Sequence, residues 1–195
     1  EFKDDIENNR YSQTNRLDLL DSRGCINACH FCYERLFWPK YRYLSAERLF
    51  EQITKHIKDF PQINYFYFNG LLINGNLSNL EKFCDIVISN NLKISWAGQA
   101  VVRDDMSLGL LKKMKKAGCG WLGYGVESGC QKVLDAMNKK FTINKALELF
   151  KNTKEAGISF QINMMCGFPG ETDEDFEQTL KFLISARPYV NSILA

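Results

Sequence analysis

Hydrophobic positions along this chain switch between two periods. Short runs of four to nine residues, apolar or alternating, read as strands; longer stretches with apolar residues every third or fourth position read as helices. Leu17-Asp-Leu-Leu20 is a short first strand. Ser45 caps a predicted helix over 46–59 that places Leu49, Phe50, Ile53 and Ile57 on one face. A second strand runs over 63–68. Ser78-Asn-Leu-Glu81 has the form of a capping box and opens a helix with Leu80, Phe83, Cys84, Val87 and Ile88 inward. The third strand is expected over 92–96, with Trp96 and Gln99 near its end facing the interior. A helix from Ser107 is closed by Gly118. The fourth strand covers 120–126, followed by helices over about 129–137 and 142–155. The fifth strand covers 158–165. Thr172-Asp-Glu-Asp175 opens a last helix lined by Phe176, Leu180, Leu183 and Ile184, and 191–195 reads as the start of a sixth strand.

Regular alternation of strand and helix predicts an α/β fold with a parallel sheet and right-handed crossovers. Residues 16–195 are expected to form one core domain, and residues 1–15, polar and without periodicity, a linker or docking arm. Because the sequence stops within the sixth strand, it reads as part of a longer protein.

Composition changes this picture little. The chain has 195 residues, 45% hydrophobic and 25% charged, an ordinary globular balance. Its net charge of +2 argues against a nucleic-acid partner, and the Lys112–Lys116 cluster reads as a solvated helix face. No apolar run is long enough to span a bilayer, and no secretory signal opens the sequence. Seven cysteines, an odd number, do not suit a disulfide framework. A reducing, cytoplasmic setting with some cysteines serving as ligands is expected.

Three of the seven lie in Cys25-Ile-Asn-Ala-Cys29-His-Phe-Cys32, spaced C-x₃-C-x₂-C, with no fourth nearby. Each iron of a cubane iron–sulfur cluster takes one ligand beyond its three sulfides. Three thiolates therefore hold a four-iron cluster and leave one iron open, and an open metal position is where a substrate or cofactor binds. The motif falls just beyond the first strand, at the rim where parallel α/β folds place their chemistry. Two other readings remain at this point: an electron-transfer module without catalysis, and a zinc-stapled binding domain using Cys25, Cys29, Cys32 and His30.

The cysteine spacing, with Phe31 before its last member, resembles the radical S-adenosylmethionine (SAM) superfamily. Ser22-Arg-Gly-Cys25, Tyr41-Arg-Tyr-Leu-Ser45, Ala117-Gly-Cys119, Gly125-Val-Glu-Ser-Gly129, Ala156-Gly-Ile158 and Gly167-Phe-Pro-Gly-Glu-Thr172 follow in order. That order is similar to the branch often fused to an upstream cobalamin-binding domain. The resemblance implies a partial (β/α)₆ TIM-like barrel, a [4Fe–4S] cluster on Cys25, Cys29 and Cys32, and S-adenosylmethionine across the barrel top. It further implies reductive cleavage of that cofactor to a 5′-deoxyadenosyl radical, for hydrogen abstraction, methyl transfer or cyclisation. A flavodoxin or ferredoxin electron donor and a small-molecule substrate go with it, and cobalamin enters only through an upstream domain.

Further site residues follow from the resemblance. Phe31 lies in the cluster loop. Glu127 and Ser128 would face the ribose; the plainer alternative is that Ser128 caps the next helix and Glu127 pairs with a surface lysine. Gly167, Phe168 and Pro169 would border the adenine, or form only a turn feeding the Thr172 cap. Asn69, with Gly70 and Asn74, stands where relatives place the segment meeting the methionine amino group, although loop asparagines are also ordinary turn residues. Arg103 reads as an exposed residue, and Cys84, Cys119 and Cys130 as small buried groups. Met164, Met165 and Cys166 read as core or pocket wall.

Overall fold

In the computed structural model, residues 15–195 are described; the proposed arm over 1–15 lies almost wholly outside them. Six parallel strands form the main sheet: β1 (Arg16–Leu19), β4 (Tyr65–Phe68), β5 (Ser95–Val101), β6 (Cys119–Glu127), β7 (Ser159–Met164) and β8 (Ser192–Leu194). They are ordered β1-β4-β5-β6-β7-β8. Between β1 and β4 lie a two-residue antiparallel pair, β2 (Ser22–Arg23) and β3 (Arg42–Tyr43), and a single-turn helix α1 (Glu34–Phe37). The crossover helices are α2 (Ala46–Asp59), α3 (Leu77–Ser89), α4 (Leu108–Lys116), α5 (Gln131–Ala136), α6 (Ile143–Glu155) and α7 (Asp173–Ala186). Parallel neighbours in chain order, joined by helices, are the parallel crossover sheet that the alternating pattern predicts, in the strand order of the partial barrel that the resemblance implies.

Alternation within the strands separates two faces. Phe66 and Phe68 of β4 are fully buried toward the helices, while Tyr65 and Tyr67 point the other way and are half-buried. Phe68, Trp96 and Phe83 form one aromatic contact set, with centroids 5.5–6.1 Å apart. Tyr124, Phe150, Phe160 and Phe182 form a second, at 5.3–6.1 Å. Trp96 therefore packs toward α3, not into the barrel, and its indole N–H donates to the Ala117 carbonyl at 2.9 Å. Gln99, three residues on, does face inward and donates to the Tyr67 hydroxyl at 3.0 Å.

Three expectations need correction. β5 is Ser95–Val101 rather than 92–96. Its Ala-Gly-Gln-Ala run has low strand propensity, but pairing with β4 on one side and β6 on the other imposes the extended state. Asn76, not Ser78, caps α3, accepting from the Asn79 N–H at 2.9 Å. The face of α7 is also different: Asp175, Thr179, Phe182 and Ala186 are buried, and Phe176, Leu180 and Ile184 are exposed. Polar Thr179 turns inward because Ser128 and the Gly129 N–H meet its hydroxyl at 3.2 and 3.0 Å. The lysine cluster on α4 is a solvated face, with Lys113 pairing Glu81 and Asp85, and Lys112 pairing Glu155.

The Thr172 capping box is formed in full. The Thr172 hydroxyl accepts from the Asp175 N–H, and the Asp175 carboxylate accepts from the Thr172 N–H at 3.1 Å. Lys132 lies 2.7 Å from the same carboxylate. That ammonium, then the Thr172 N–H, holds the Asp175 pKa down to about 2. A carboxyl depressed in the folded state stabilises the fold above its unfolded pKa, and that stabilisation is lost as pH falls from about 4 toward 2. Thr172→Ala should cost about 1 kcal/mol and lower the melting temperature by about 2–4 °C, read by circular dichroism near neutral pH.

Candidate functional site

The four segments carrying candidate site residues emerge at the carboxyl ends of the strands. The cysteine segment follows β1 and β2, Asn69 follows β4, Glu127 ends β6, and Gly167 follows β7. That common rim is where crossover barrels gather functional side chains from separate strands.

The cysteine loop is held from both sides. Gly24 takes a left-handed φ of +82°, and a Cβ there would lie 2.7 Å from the Lys40 carbonyl. His30 and Asn138 fasten the loop to the end of α5. The His30 N–H donates to the Met137 carbonyl at 3.0 Å, its ring Nδ1 meets the Ala136 carbonyl at 2.7 Å, and Asn138 donates to the Ala28 carbonyl at 2.8 Å. Cys25 and Cys29 are half-buried and Cys32 exposed, all three as free thiols. The Asn27 N–H points at the Cys25 sulfur at 3.3 Å, as it would toward a thiolate. Burial pushes the Cys25 and Cys29 thiols up; Cys32 adds to this at both, whereas Lys139 pulls both down.

Glu127 carries the least expected backbone. Its φ is +77°, a conformation costing a non-glycine residue roughly 1–2 kcal/mol, and the β6–β7 register shifts between Gly125 and Glu127. The turn folds its carboxylate back over Gly125, where a Cβ would come within 2.8 Å of Oε1. Lys139 meets it there, 3.2 Å from Glu127 Oε1 and 3.0 Å from the Gly125 carbonyl. The two side chains are only 6% and 16% exposed. Glu127 thus pairs with a lysine, as the plainer alternative held, but with an enclosed one. The same ammonium lies 5.6 Å from the Phe31 ring centroid, linking cysteine loop and β6. Ser128 is fully buried: its oxygen accepts from the Cys130 N–H and meets Thr179. It belongs to the seam with α7.

The turn after β7 is organised by Glu171, whose Oε2 accepts from the N–H groups of Gly167 and Phe168 at 2.7 and 3.3 Å. Its other oxygen, Oε1, is buried without a hydrogen-bond partner among the described residues. Gly167 has φ +79° with nothing within 4 Å of a virtual Cβ, leaving room for a flat ring against the backbone. Cys130, Val133 and Met137 form a small apolar cluster onto which Phe31, Met165 and Phe168 pack, so the cysteine loop and the Gly167 turn rest on one foundation. Pro169 is exposed in that turn, and Cys166 is exposed beside it.

After β4, Asn69 is exposed while Gly70 is buried. The Gly70 N–H donates to Asp21 Oδ1 at 2.9 Å, and burial raises the Asp21 pKa above the ordinary value. A Gly70 Cβ would meet Ser22 Oγ at 2.2 Å and Asp21 Oδ1 at 2.6 Å. Gly70→Ala should therefore cost about 1–3 kcal/mol, checked by thermal unfolding. Asn74 is fully buried, and its amide is spent on both backbone groups of Val101, at 2.8 and 3.0 Å. Arg103 is not a free surface residue: its side chain is 21% exposed, and it donates to the Asn74 and Gly75 carbonyls and pairs Asp105.

A family model described as "Radical SAM superfamily" matches residues 19–183. The chain belongs to the radical SAM superfamily. It is 28% identical over 170 residues to an anaerobic magnesium-protoporphyrin IX monomethyl ester cyclase of Cereibacter sphaeroides, covering 86% of this chain and 28% of that protein. It is 27% identical over 177 residues to a tRNA-2-methylthio-N(6)-dimethylallyladenosine synthase of Endomicrobium trichonymphae, covering 85% and 41%. The solved cobalamin-dependent SAM radical enzyme OxsB superposes with a TM-score of 0.78 at 21% identity, over 98% of this chain and 29% of that one. The radical SAM methyltransferase TsrM of Kitasatospora setae gives 0.78 at 14% identity, over 91% and 35%. This chain spans about 28–41% of the length of the curated relatives named.

The donor set of this radical SAM chain fits a four-iron cluster. A cubane binds each thiolate through a different iron, so its ligands ring a volume rather than converge on a point. Among the described residues no group of three His, Cys, Asp or Glu side chains is arranged to hold a metal ion, and His30 turns its ring to the Ala136 carbonyl. Lys139 was missed in the sequence, where Asn138-Lys-Lys140 looks like a helix terminus. Only the 12-residue return from Glu127 brings its ammonium onto the site. Asp21 was missed because nothing local marks a buried carboxylate. Among the described residues no helix is long and apolar enough to cross a membrane.

Proposed function

We propose that this chain is the catalytic core of a radical SAM enzyme, with Cys25, Cys29 and Cys32 as the ligands of a [4Fe–4S] cluster. The observation that carries this is the shared rim: the three-thiol loop, the enclosed Glu127–Lys139 pair and the open Gly167 turn lie together over one six-stranded parallel sheet. When bound, the cluster supplies one-electron cleavage of S-adenosylmethionine, yielding a 5′-deoxyadenosyl radical for hydrogen abstraction, methyl transfer or cyclisation.

The chain's own residues bind and orient. Glu127, aimed by its left-handed backbone, accepts from the ribose hydroxyls. Gly167, Phe168 and Pro169 border the adenine, with Glu171 holding their N–H groups in register. Phe31 shields the cluster loop from water through its contact with the apolar cluster under Phe168. Asn69, its amide exposed at the β4 terminus, stands toward the methionine end of the cofactor. Ser128 is left out of the ribose set, since its hydroxyl is consumed. The substrate is a small molecule bound over the barrel mouth. The solved structure OxsB, described as cobalamin-dependent, makes a cobalamin-binding companion domain part of this reading, and the reducing equivalent comes from a flavodoxin or ferredoxin.

Anaerobic reconstitution tests the proposal. The expected result is about four irons per chain, an absorption that changes on adding S-adenosylmethionine, and 5′-deoxyadenosine on reduction. A chromophore indifferent to S-adenosylmethionine would instead make the protein an electron carrier. Stoichiometric zinc without iron would make it a zinc-stapled domain.

A further inference from the structure

The segment leaving the cysteine loop carries an unusual surface. Tyr33, Leu36 and Phe37 are 72%, 76% and 74% exposed, the first as the N-cap and the others on a single-turn helix that begins two residues after Cys32. Trp38 follows, clasped by the guanidinium groups of Arg23 and Arg42, 5.1 and 5.2 Å from its ring centroid. The β2–β3 pair sets those two arginines opposite one another. Arg35 and Lys40 are exposed on the same knuckle. Over residues 22–43 the charged groups are Arg23, Arg35, Lys40, Arg42 and Glu34, four cations against one carboxylate, or +3. The whole chain carries +2, so the remainder sums to 2 − 3 = −1. The chain's excess positive charge is thus concentrated here, around an apolar tip.

Both ends of the knuckle are fixed to the cysteine loop. One end is covalent, through Cys32-Tyr33. The other is steric, with the Lys40 carbonyl and Trp38 Cβ at 2.7 and 3.3 Å from where a Gly24 Cβ would lie, next to Cys25. Exposed aromatic and arginine side chains are the enriched composition of an interaction surface. Its small size suits a transient redox encounter better than a permanent subunit contact, since electron-transfer interfaces are among the smallest. Its sign selects an acidic partner and speeds encounter through long-range attraction.

We propose that the Tyr33–Arg42 knuckle is the docking surface for an acidic one-electron donor protein of the flavodoxin type. This rests on the cluster assignment above. The transfer balances: an anionic flavin hydroquinone would lose one electron to become the neutral semiquinone, a cluster held by Cys25, Cys29 and Cys32 would gain it, and no proton need move.

The test uses the anaerobically reconstituted protein and an acidic flavodoxin in its hydroquinone state. Two readouts are followed: flavodoxin binding by calorimetry, and cluster reduction by stopped-flow absorbance, with dithionite as a donor that needs no docking. Arg35→Glu/Lys40→Glu should weaken binding and slow reduction by flavodoxin roughly tenfold or more at low salt, leaving the dithionite rate unchanged. Raising ionic strength from about 50 to about 500 mM should slow the parent protein similarly. Leu36→Ser/Phe37→Ser should weaken binding with little change in its salt dependence. Parent-like binding and flavodoxin rates in both variants would overturn the proposal. So would variants that dissociate a dimer without altering either readout, which would make the knuckle a contact between copies. Failure to assemble iron would sink the cluster assignment instead, and shows in the iron content before any donor is added.

Discussion

Cys29→Ala is expected to abolish assembly of the four-iron cluster, leaving no charge-transfer absorption and no 5′-deoxyadenosine after reduction. Three thiolates are the minimum that leaves one iron open, so removing one leaves a second iron without a protein ligand. The melting temperature of the metal-free variant should stay near that of the parent, because Cys29 is only half-buried and bridges no core elements. Cys84→Ala provides the contrast. That thiol is fully buried under α3 and pushed up to about 12 by burial, so the variant should lose some stability and keep its iron. Iron retained by Cys29→Ala, or lost by Cys84→Ala, would contradict the assignment of ligands.

Lys139→Met should be the most destabilising single change at the site. It strands Glu127 in a place only 16% exposed, held there by a left-handed backbone. Breaking a buried pair by removing one partner costs about 3–5 kcal/mol. The residual exposure of Glu127 places this case near 3 kcal/mol, or about 6–12 °C in melting temperature for a domain of this size. The double change Lys139→Met/Glu127→Gln removes the stranded charge and should recover a good part of that loss. A single-variant shift below about 2 °C would mean that the pair is solvated and contributes little. Because Lys139 also lies over Phe31, the single variant should bind S-adenosylmethionine more weakly too, read by equilibrium dialysis on reconstituted protein.

Different parts of this site were legible to different degrees. The three cysteines could be read directly, since a local spacing is all that curls three thiols into one loop. The Gly167 turn was equally local: Glu171 reaches back only three and four residues to hold it. The placement of Ser128 was not legible because its partner, Thr179, is 51 residues away. Nothing near Ser128 says which side of β6 the hydroxyl will face. Arg103, read as exposed, was misjudged for a similar reason. Besides nearby Asp105, its partners are the Asn74 and Gly75 carbonyls, 29 and 28 residues distant, and main-chain atoms leave no trace in side-chain pattern.

By itself the sequence determined the order of strands and crossovers, the helix starts at Ser45, Ser107, Thr142 and Thr172, and the three-thiol loop. These depend on periodicity, capping and spacing within one or two turns of chain. Only the tertiary structure decided that β5 extends through Val101, that Thr179 turns inward while Ile184 is exposed, and that Lys139 closes on Glu127. Each of those outcomes is set by what the neighbouring strand or helix presents across the contact. Hydrogen bonds between distant segments and the exclusion of water there outweigh the local preferences of a few residues.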